Sequence, residues 1–187
     1  ISGTGKTSLA YALGKFFLND SSICPVQPSW KDRSELIGYY NEFTKKFNET
    51  EFLKALYTTL YRKDLNIIVL DEMNLARIEY YFAEFLSIME MPNKNEWFIE
   101  LINSYDKTDP KKVHEGKIII PQNAFFFGTA NNDDSTFTIS DKVYDRAISL
   151  FFDDKGIPFE AEETQALKIP YSQIEQMFVD AHEQYPV

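Results

Sequence analysis

Apolar and polar positions along the chain alternate in two rhythms, one suited to strands and one to helices. The stretch "NIIVL" is an unbroken β-branched run of the kind buried on both faces of a parallel sheet. Upstream, Thr7 to Phe17 reads as a helix with Leu9, Leu13 and Phe16 or Phe17 on one side, and "SICPVQPSW" as a short strand ending at Pro28. Ser29 and Asp32 are expected to form a capping box for a short helix reaching Gly38. Glu51 to Arg62 carries Phe52, Leu53, Leu56 and Leu60 at helical spacing. After "NIIVL", Asn74 is placed to cap a helix in which Leu75, Ile78, Phe82, Phe85, Leu86 and Met89 form a wide apolar face.

From Met91 to Gly116 the chain is rich in Asn, Lys, Asp and Pro, which suggests a loop or hairpin excursion around "EWFIELI". "KIIIPQNAFFFGTAN" predicts a short strand, a turn at Pro121 and a second buried strand, and "AISLFF" a further strand. Past Asp154 a polar connector leads to a last helix, capped by Ser172 and Glu175, with Ile174, Phe178 and Ala181 turned inward. Strands alternating with helices of this length predict an α/β sheet covered on both faces. The expected division is a core over 1–154 and a connector with the start of a helical region over 155–187.

Composition narrows the function classes. The 187 residues are 44% hydrophobic and 16% aromatic, ample for a packed core. Lys plus Arg number 19 against 29 Asp plus Glu, and the net charge of -10 argues against a broad nucleic-acid footprint. It does not exclude a nucleoside triphosphate, because salt screens distant surface acids over roughly 8 to 10 Å. Cys24 has no partner for an internal disulfide, and His114 and His182 lie far apart without cysteines at metal-ligand spacing. The expectation is a buried thiol and two surface imidazoles. Apolar runs are too short to cross a bilayer and the start is no signal peptide, so a cytoplasmic protein without membrane insertion is expected.

Three segments carry candidate chemistry. In "ISGTGKTSLA", glycines allow a tight loop at a helix N-terminus, Lys6 can neutralise β and γ phosphates, and Thr7 offers a hydroxyl to Mg²⁺. "IIVLDE" puts Asp71 and Glu72 at the carboxyl end of a buried strand, where open α/β sheets bind ligands. There Asp71 would hold Mg²⁺ through water and Glu72 would polarise an attacking water. "AFFFGTAN" brings Asn131 to the same rim, where an amide can bind the γ-phosphate and the lytic water without adding negative charge.

Taken together, "GTGKTSLA", "VQPSWKDRSELIGYYN", "IIVLDEMNLARIEYYFAEFLSIME", "FFFGTANNDDST" and "SDKVYDRA" resemble the AAA+ ATPase core, in particular its dynein-related, McrB-like branch near the MoxR proteins. The resemblance runs over residues 1 to 152 in family order. It implies a P-loop NTPase fold, a three-layer α/β/α sandwich with a mainly parallel sheet, its first strand missing and its helical lid truncated. It implies that Ser2, Gly3, Thr4, Gly5, Lys6, Thr7 and Ser8 bind the nucleotide, that Thr7 and Asp71 serve Mg²⁺, and that Glu72 completes the Walker B pair. Asn131 would be sensor 1. Arg146 would be an arginine finger reaching the next subunit of a ring, most often a hexamer, with an ion pair to Asp145, Asp141 or Glu79 as its structural alternative.

Trp30, Leu36, Tyr39 and Tyr40 correspond to a stretch expected to pack against the "DEMNLARIEYYFAEF" helix, with exposure of Tyr39 or Tyr40 as the functional alternative. McrB-type GTPases carry Met-Asn-x-x-Asp at sensor 1, where this chain has Ala130, Asn131 and Asp134. The expected activity is Mg²⁺-dependent ATP hydrolysis driving remodelling or translocation of a macromolecule, DNA or protein. Two alternatives stand beside it: a GTP-driven motor of a modification-dependent restriction system, and a nucleotide-binding assembly module with negligible hydrolysis. Without a first central strand, residues 1 to 187 alone are expected to fold poorly.

Overall fold

The computed structural model describes residues 4–102, 110–152, 156–157 and 160–185. Within them the architecture is α/β. Its centre is a three-stranded parallel sheet in the order β1-β4-β8, formed by Ser22–Pro25, Asn66–Asp71 and Ala124–Gly128. The central strand β4 is apolar on both sides because both sides are covered. Ile68 and Leu70 face one hydrophobic cluster, while Ile67 and Val69 face another.

On the first face the cluster is built by α2 (Ser34–Ile37), α3 (Glu51–Thr59), α4 (Ile78–Tyr81) and α5 (Ala83–Met89). Helix α3 follows the predicted periodicity, burying Phe52, Leu53 and Leu56, and Thr50 caps it by accepting the Leu53 N–H at 3.1 Å. Phe52 is the hub. Its ring stacks on Phe126 at 5.9 Å and meets the edges of Phe85 and Phe82 at 5.2 and 6.5 Å. Such pairs add roughly 0.5–1.5 kcal/mol each beyond burial. Trp30 sets its edge against Tyr81 at 5.1 Å, and Leu36 is fully buried, so both pack as expected.

The second face is covered by α1 (Lys6–Phe16) and the start of α7 (Tyr171–Gln184). The buried stripe of α1 is Ala10 and Gly14 with Leu13 and Phe17 beside it, whereas Leu9, expected inward, is exposed. Close approach is the reason: a Cβ at position 14 would collide with Ser21 and the Asn19 carbonyl, so the helix lies tight against the loop that follows it. Only the first turns of α7 are anchored. Ile174 packs on the sheet, Glu175 pairs with Lys94 at 3.1 Å, and the Leu167 N–H reaches the Phe16 carbonyl. Ala181, expected inward, is exposed, and Phe178 is largely exposed while its ring stacks on Phe125 at 6.5 Å.

The amino ends of the strands are tied by asparagines. Asn19 donates to the Leu65 carbonyl and to Asn66 Oδ1, and Asn123 donates to the carbonyls of Arg62 and Asp64. These bonds satisfy amides that burial would otherwise leave costly.

Two antiparallel excursions leave the core. β2 (Gly38–Asn41) and β3 (Lys46–Glu49) form a hairpin that carries Tyr39 and Tyr40 on its exposed surface, so these two tyrosines are not core residues. The second is β5 (Phe98–Glu100), β6 (Val113–His114) and β7 (Lys117–Ile119), in the order β5-β7-β6. It places a strand at "EWFIELI", and Ile99 and Ile118 join the first cluster.

Further expectations are corrected. "AISLFF" is not a strand: residues 148–152 carry no regular structure, and Ile148 is 96% exposed. Among the described residues β8 therefore has only β4 as a hydrogen-bonded neighbour and is half-buried rather than buried. The helix after "NIIVL" is broken at Phe82, whose φ of -118° lies outside helical values, giving α4 and α5. Ser29 does not cap α2; Asp32 Oδ1 alone accepts the Ser34 N–H at 2.7 Å. Nor do Ser172 and Glu175 cap α7, whose N-cap position is Pro170. No helix among the described residues is long and apolar enough to cross a membrane.

Candidate functional site

The carboxyl ends of β4 and β8 lie side by side, with Leu70 opposite Gly128 in parallel register. This register carries Asp71 and Glu72 from one strand, and Thr129 and Asn131 from the other, to the same rim. The N-terminus of α1 arrives there as well. Gly5 at its N-cap has φ 87°, a left-handed value that glycine adopts without steric cost, and it turns the chain into the helix. The first turn of α1 holds no acid, so the positive end of the helix dipole faces no carboxylate of its own.

Two long-range hydrogen bonds define the cluster. Thr7 Oγ1 donates to Asp71 Oδ1 at 2.7 Å, across 64 positions of sequence. Lys6 Nζ donates to Asn131 Oδ1 at 2.8 Å, across 125 positions, and also reaches Thr4 Oγ1 at 3.4 Å. Lys6, Thr7, Asp71 and Asn131 are each half-buried, which lowers the local dielectric while leaving access from outside. Gly5 and Ser8 are exposed at the start of α1. Ser2 and Gly3 lie outside the described residues.

Glu72 is exposed and left-handed, with φ 52° and ψ 46°. For a residue with a Cβ this conformation costs about 1–2 kcal/mol, so its surroundings must hold it. The Thr129 hydroxyl accepts the Glu72 N–H at 2.9 Å, and the Thr129 carbonyl accepts the Met73 N–H at 2.8 Å. Gly128 permits this fit, because a Cβ there would occupy the space of Met73 Sδ. Tyr81 then fixes the turn from the core side, donating to the Met73 carbonyl at 2.7 Å; burial pushes its phenol well above the ordinary range, so it remains a donor.

Asn74, expected as a helix cap, has another role. It is buried, and its side-chain amide donates to the carbonyls of Asn131 and Phe137 at 2.7 and 3.1 Å. The Asn131 N–H returns to Asn74 Oδ1 at 3.3 Å, and the Phe137 N–H to the Asn74 carbonyl at 2.8 Å. This one residue thus clamps the loop that carries Asn131. No capping bond competes, because Asn74 lies within the 3-10 turn Met73–Leu75 and α4 begins only four residues after it, with Arg77 at its N-cap.

Arg146 stands apart from the cluster. It follows α6 (Asp141–Tyr144), and its guanidinium pairs with Glu90 at 2.5 Å and donates to the Lys142 carbonyl at 2.9 Å. The partner is therefore none of Asp145, Asp141 or Glu79. Glu90 is the C-cap residue of α5, so this ion pair ties the end of that helix to the segment after α6. The hydrogen bond that the guanidinium donates to the Glu90 carboxylate, with further help from the charges of Glu90 and Asp145, holds it above its ordinary pKa.

Among the described residues, no three His, Cys, Asp or Glu side chains converge as a metal cage. One hydroxyl beside one carboxylate is instead the donor set of a Mg²⁺ ion that takes its remaining ligands from substrate phosphates and water. Thr7 and Asp71 fit that description. Cys24 is buried, and desolvation, with the nearby charge of Glu51, pushes its thiol up to about 11, so it remains a packed thiol. His114 and His182 are exposed, as expected.

Sequence reasoning missed Thr129 and the clamping role of Asn74. A signal existed for the first: in "GTAN" a hydroxyl residue directly follows the last strand residue, opposite Asp71. Compared with known proteins, the chain matches no family model and no curated protein.

Proposed function

We propose that the chain is a P-loop NTPase of the AAA+ type, binding ATP with Mg²⁺ and hydrolysing it. The observation that carries this reading is the convergence of Lys6 on Asn131 and of Thr7 on Asp71 at the carboxyl ends of adjacent parallel strands. A lysine and a hydroxyl from a helix N-terminus, beside an aspartate and an amide, supply the cation, metal and polar contacts that a triphosphate requires.

In this mechanism the first turn of α1 and Lys6 hold the β and γ phosphates. Asn131, whose Oδ1 accepts from Lys6, gives up that bond and donates its side-chain NH2 to the γ-phosphate. Thr7 and Asp71 hold Mg²⁺, which when bound neutralises charge on the phosphate oxygens. Glu72, exposed at the rim, orients and polarises the attacking water. Arg146 acts on the nucleotide of a neighbouring subunit; in its own chain it bonds to Glu90 and the Lys142 carbonyl, outside the Lys6, Thr7 and Asn131 cluster, which supports a role in trans. An arginine supplied this way is worth roughly 10³ to 10⁵ in rate, so activity requires a ring. The ring drives movement of a macromolecule.

The test is a titration of the protein with a fluorescent ATP analogue with and without Mg²⁺, followed by turnover of wild type, Glu72→Gln and Arg146→Ala. Glu72→Gln is expected to bind nucleotide and lose about 10²- to 10⁴-fold in turnover. Arg146→Ala is expected to bind normally and to lose the rise of specific activity with protein concentration. Absence of nucleotide binding by the wild type, or native turnover by Glu72→Gln, overturns the reading.

A further inference from the structure

Thr129 is buried immediately after β8, and all of its polar atoms engage one short segment, residues 70–73. Its N–H donates to the Leu70 carbonyl at 3.0 Å and its carbonyl accepts from Met73 at 2.8 Å. Its hydroxyl oxygen lies 2.9 Å from the Glu72 nitrogen and 2.7 Å from Asp71 Oδ1. The polarity of this bridge is forced. A backbone amide can only donate, so Oγ1 accepts from Glu72; a carboxylate can only accept, so the single hydroxyl proton goes to Asp71.

The same Oδ1 of Asp71 also receives the Thr7 hydroxyl. Two threonines, one from the start of α1 and one from the end of β8, thus grip a single carboxylate oxygen between them. One of the two also holds the strained turn that carries Glu72. Tyr81 and Gly128 support the turn at Met73, but the hydroxyl of Thr129 is the acceptor the structure provides for the Glu72 amide.

We infer that Thr129 is the positioning residue of the acid pair, acting through Asp71 and Glu72 to set the Mg²⁺ dependence of nucleotide binding. This rests on the nucleotide reading of the site. It extends that reading by assigning a role to a residue that touches neither phosphate nor attacking water. Outer partners that orient a metal-binding carboxylate are typically worth 10- to 100-fold in metal affinity.

The test uses Thr129→Val, which keeps the shape and removes both hydroxyl bonds, and Thr129→Ser, which keeps the hydroxyl. Three quantities are read: backbone amide exchange, thermal unfolding, and the Mg²⁺ concentration giving half-maximal binding of a fluorescent ATP analogue. In Thr129→Val the Glu72 amide is expected to exchange at least about tenfold faster, while Ile68 and Val69 in β4 keep their protection. Its Mg²⁺ requirement is expected to rise roughly 10- to 100-fold, with binding in EDTA unchanged. Thr129→Ser is expected to restore both.

A valine variant with the wild-type Mg²⁺ requirement overturns the proposal. So does faster exchange spread through β4 with a matching loss of thermal stability, which would mark a merely structural role. Failure of the nucleotide reading shows itself separately, as a wild type that binds no nucleotide at any Mg²⁺ concentration; the metal role of Thr129 then falls with it.

Discussion

Lys6 Nζ donates to Asn131 Oδ1 across 2.8 Å, so an ammonium from the first helix rests on an amide that follows the last strand of the sheet. A triphosphate would displace this bond and be gripped by both partners. Lys6→Ala is expected to weaken binding of a fluorescent ATP analogue about ten- to a hundredfold, the worth of hydrogen bonds to a charged group. Asn131→Ala is expected to leave binding nearly unchanged and to lower turnover by about 10²- to 10³-fold, as for the loss of one donor to developing charge. Equilibrium titration and steady-state turnover separate the two outcomes.

Asn74 links the acid-bearing turn to the Asn131 loop through bonds to both Asn131 and Phe137. Asn74→Ala strips partners from buried groups and is expected to cost about 1–3 kcal/mol in urea unfolding. Amide exchange should rise at 131 and 137, with the amino-terminal half of β4 unaffected.

Phe52 joins α3 to the sheet and to Phe82 and Phe85. Phe52→Ala is expected to destabilise the protein by about 3–5 kcal/mol, as lost transfer energy and a residual cavity add together. Chemical denaturation checks it; a loss below 1 kcal/mol, the range of surface changes, would contradict the hub role.

Asp64 is held below its ordinary carboxyl value of 3.8, first by the hydrogen bonds from Arg62, with burial acting in the opposite sense. A lowered folded pKa means that the ionised form favours the native state. Its contribution is therefore complete above about pH 4 and disappears as pH falls through the native pKa. The pair is partly exposed, so Asp64→Asn is expected to cost only about 0.2–1 kcal/mol at pH 7. Denaturation curves for wild type and variant should converge once the pH lies below the native pKa of Asp64.

Much of this architecture was legible beforehand because it is local. "NIIVL" has no polar face to expose, so it had to become a strand covered on both sides, and the period of Phe52, Leu53 and Leu56 had to become a helix on one of those sides. Positions next to such elements were legible too: Asp71 and Glu72 end a strand by arithmetic, and Lys6 and Thr7 begin a helix. Elements whose state depends on a neighbour were not. "AISLFF" has the composition of a strand, but strand structure needs a hydrogen-bonded partner, and composition does not state whether one is present. Leu9 has the hydrophobicity for the core, but the closeness of α1 to the loop at Asn19 turned the stripe towards Ala10 and Gly14.

The chain by itself determined which residues stand at element ends, since periodicity and caps act over a few positions. Only the tertiary structure decided which ends meet. The parallel register that sets Leu70 beside Gly128 brings Thr129 to Asp71 across 58 positions and Asn131 to Asn74 across 57. The tertiary structure likewise set Arg146 beside Glu90 at the end of α5, 56 positions earlier in the chain. Such contacts depend on how strands pair and helices pack across the whole molecule, and a spacing along the chain does not contain that information.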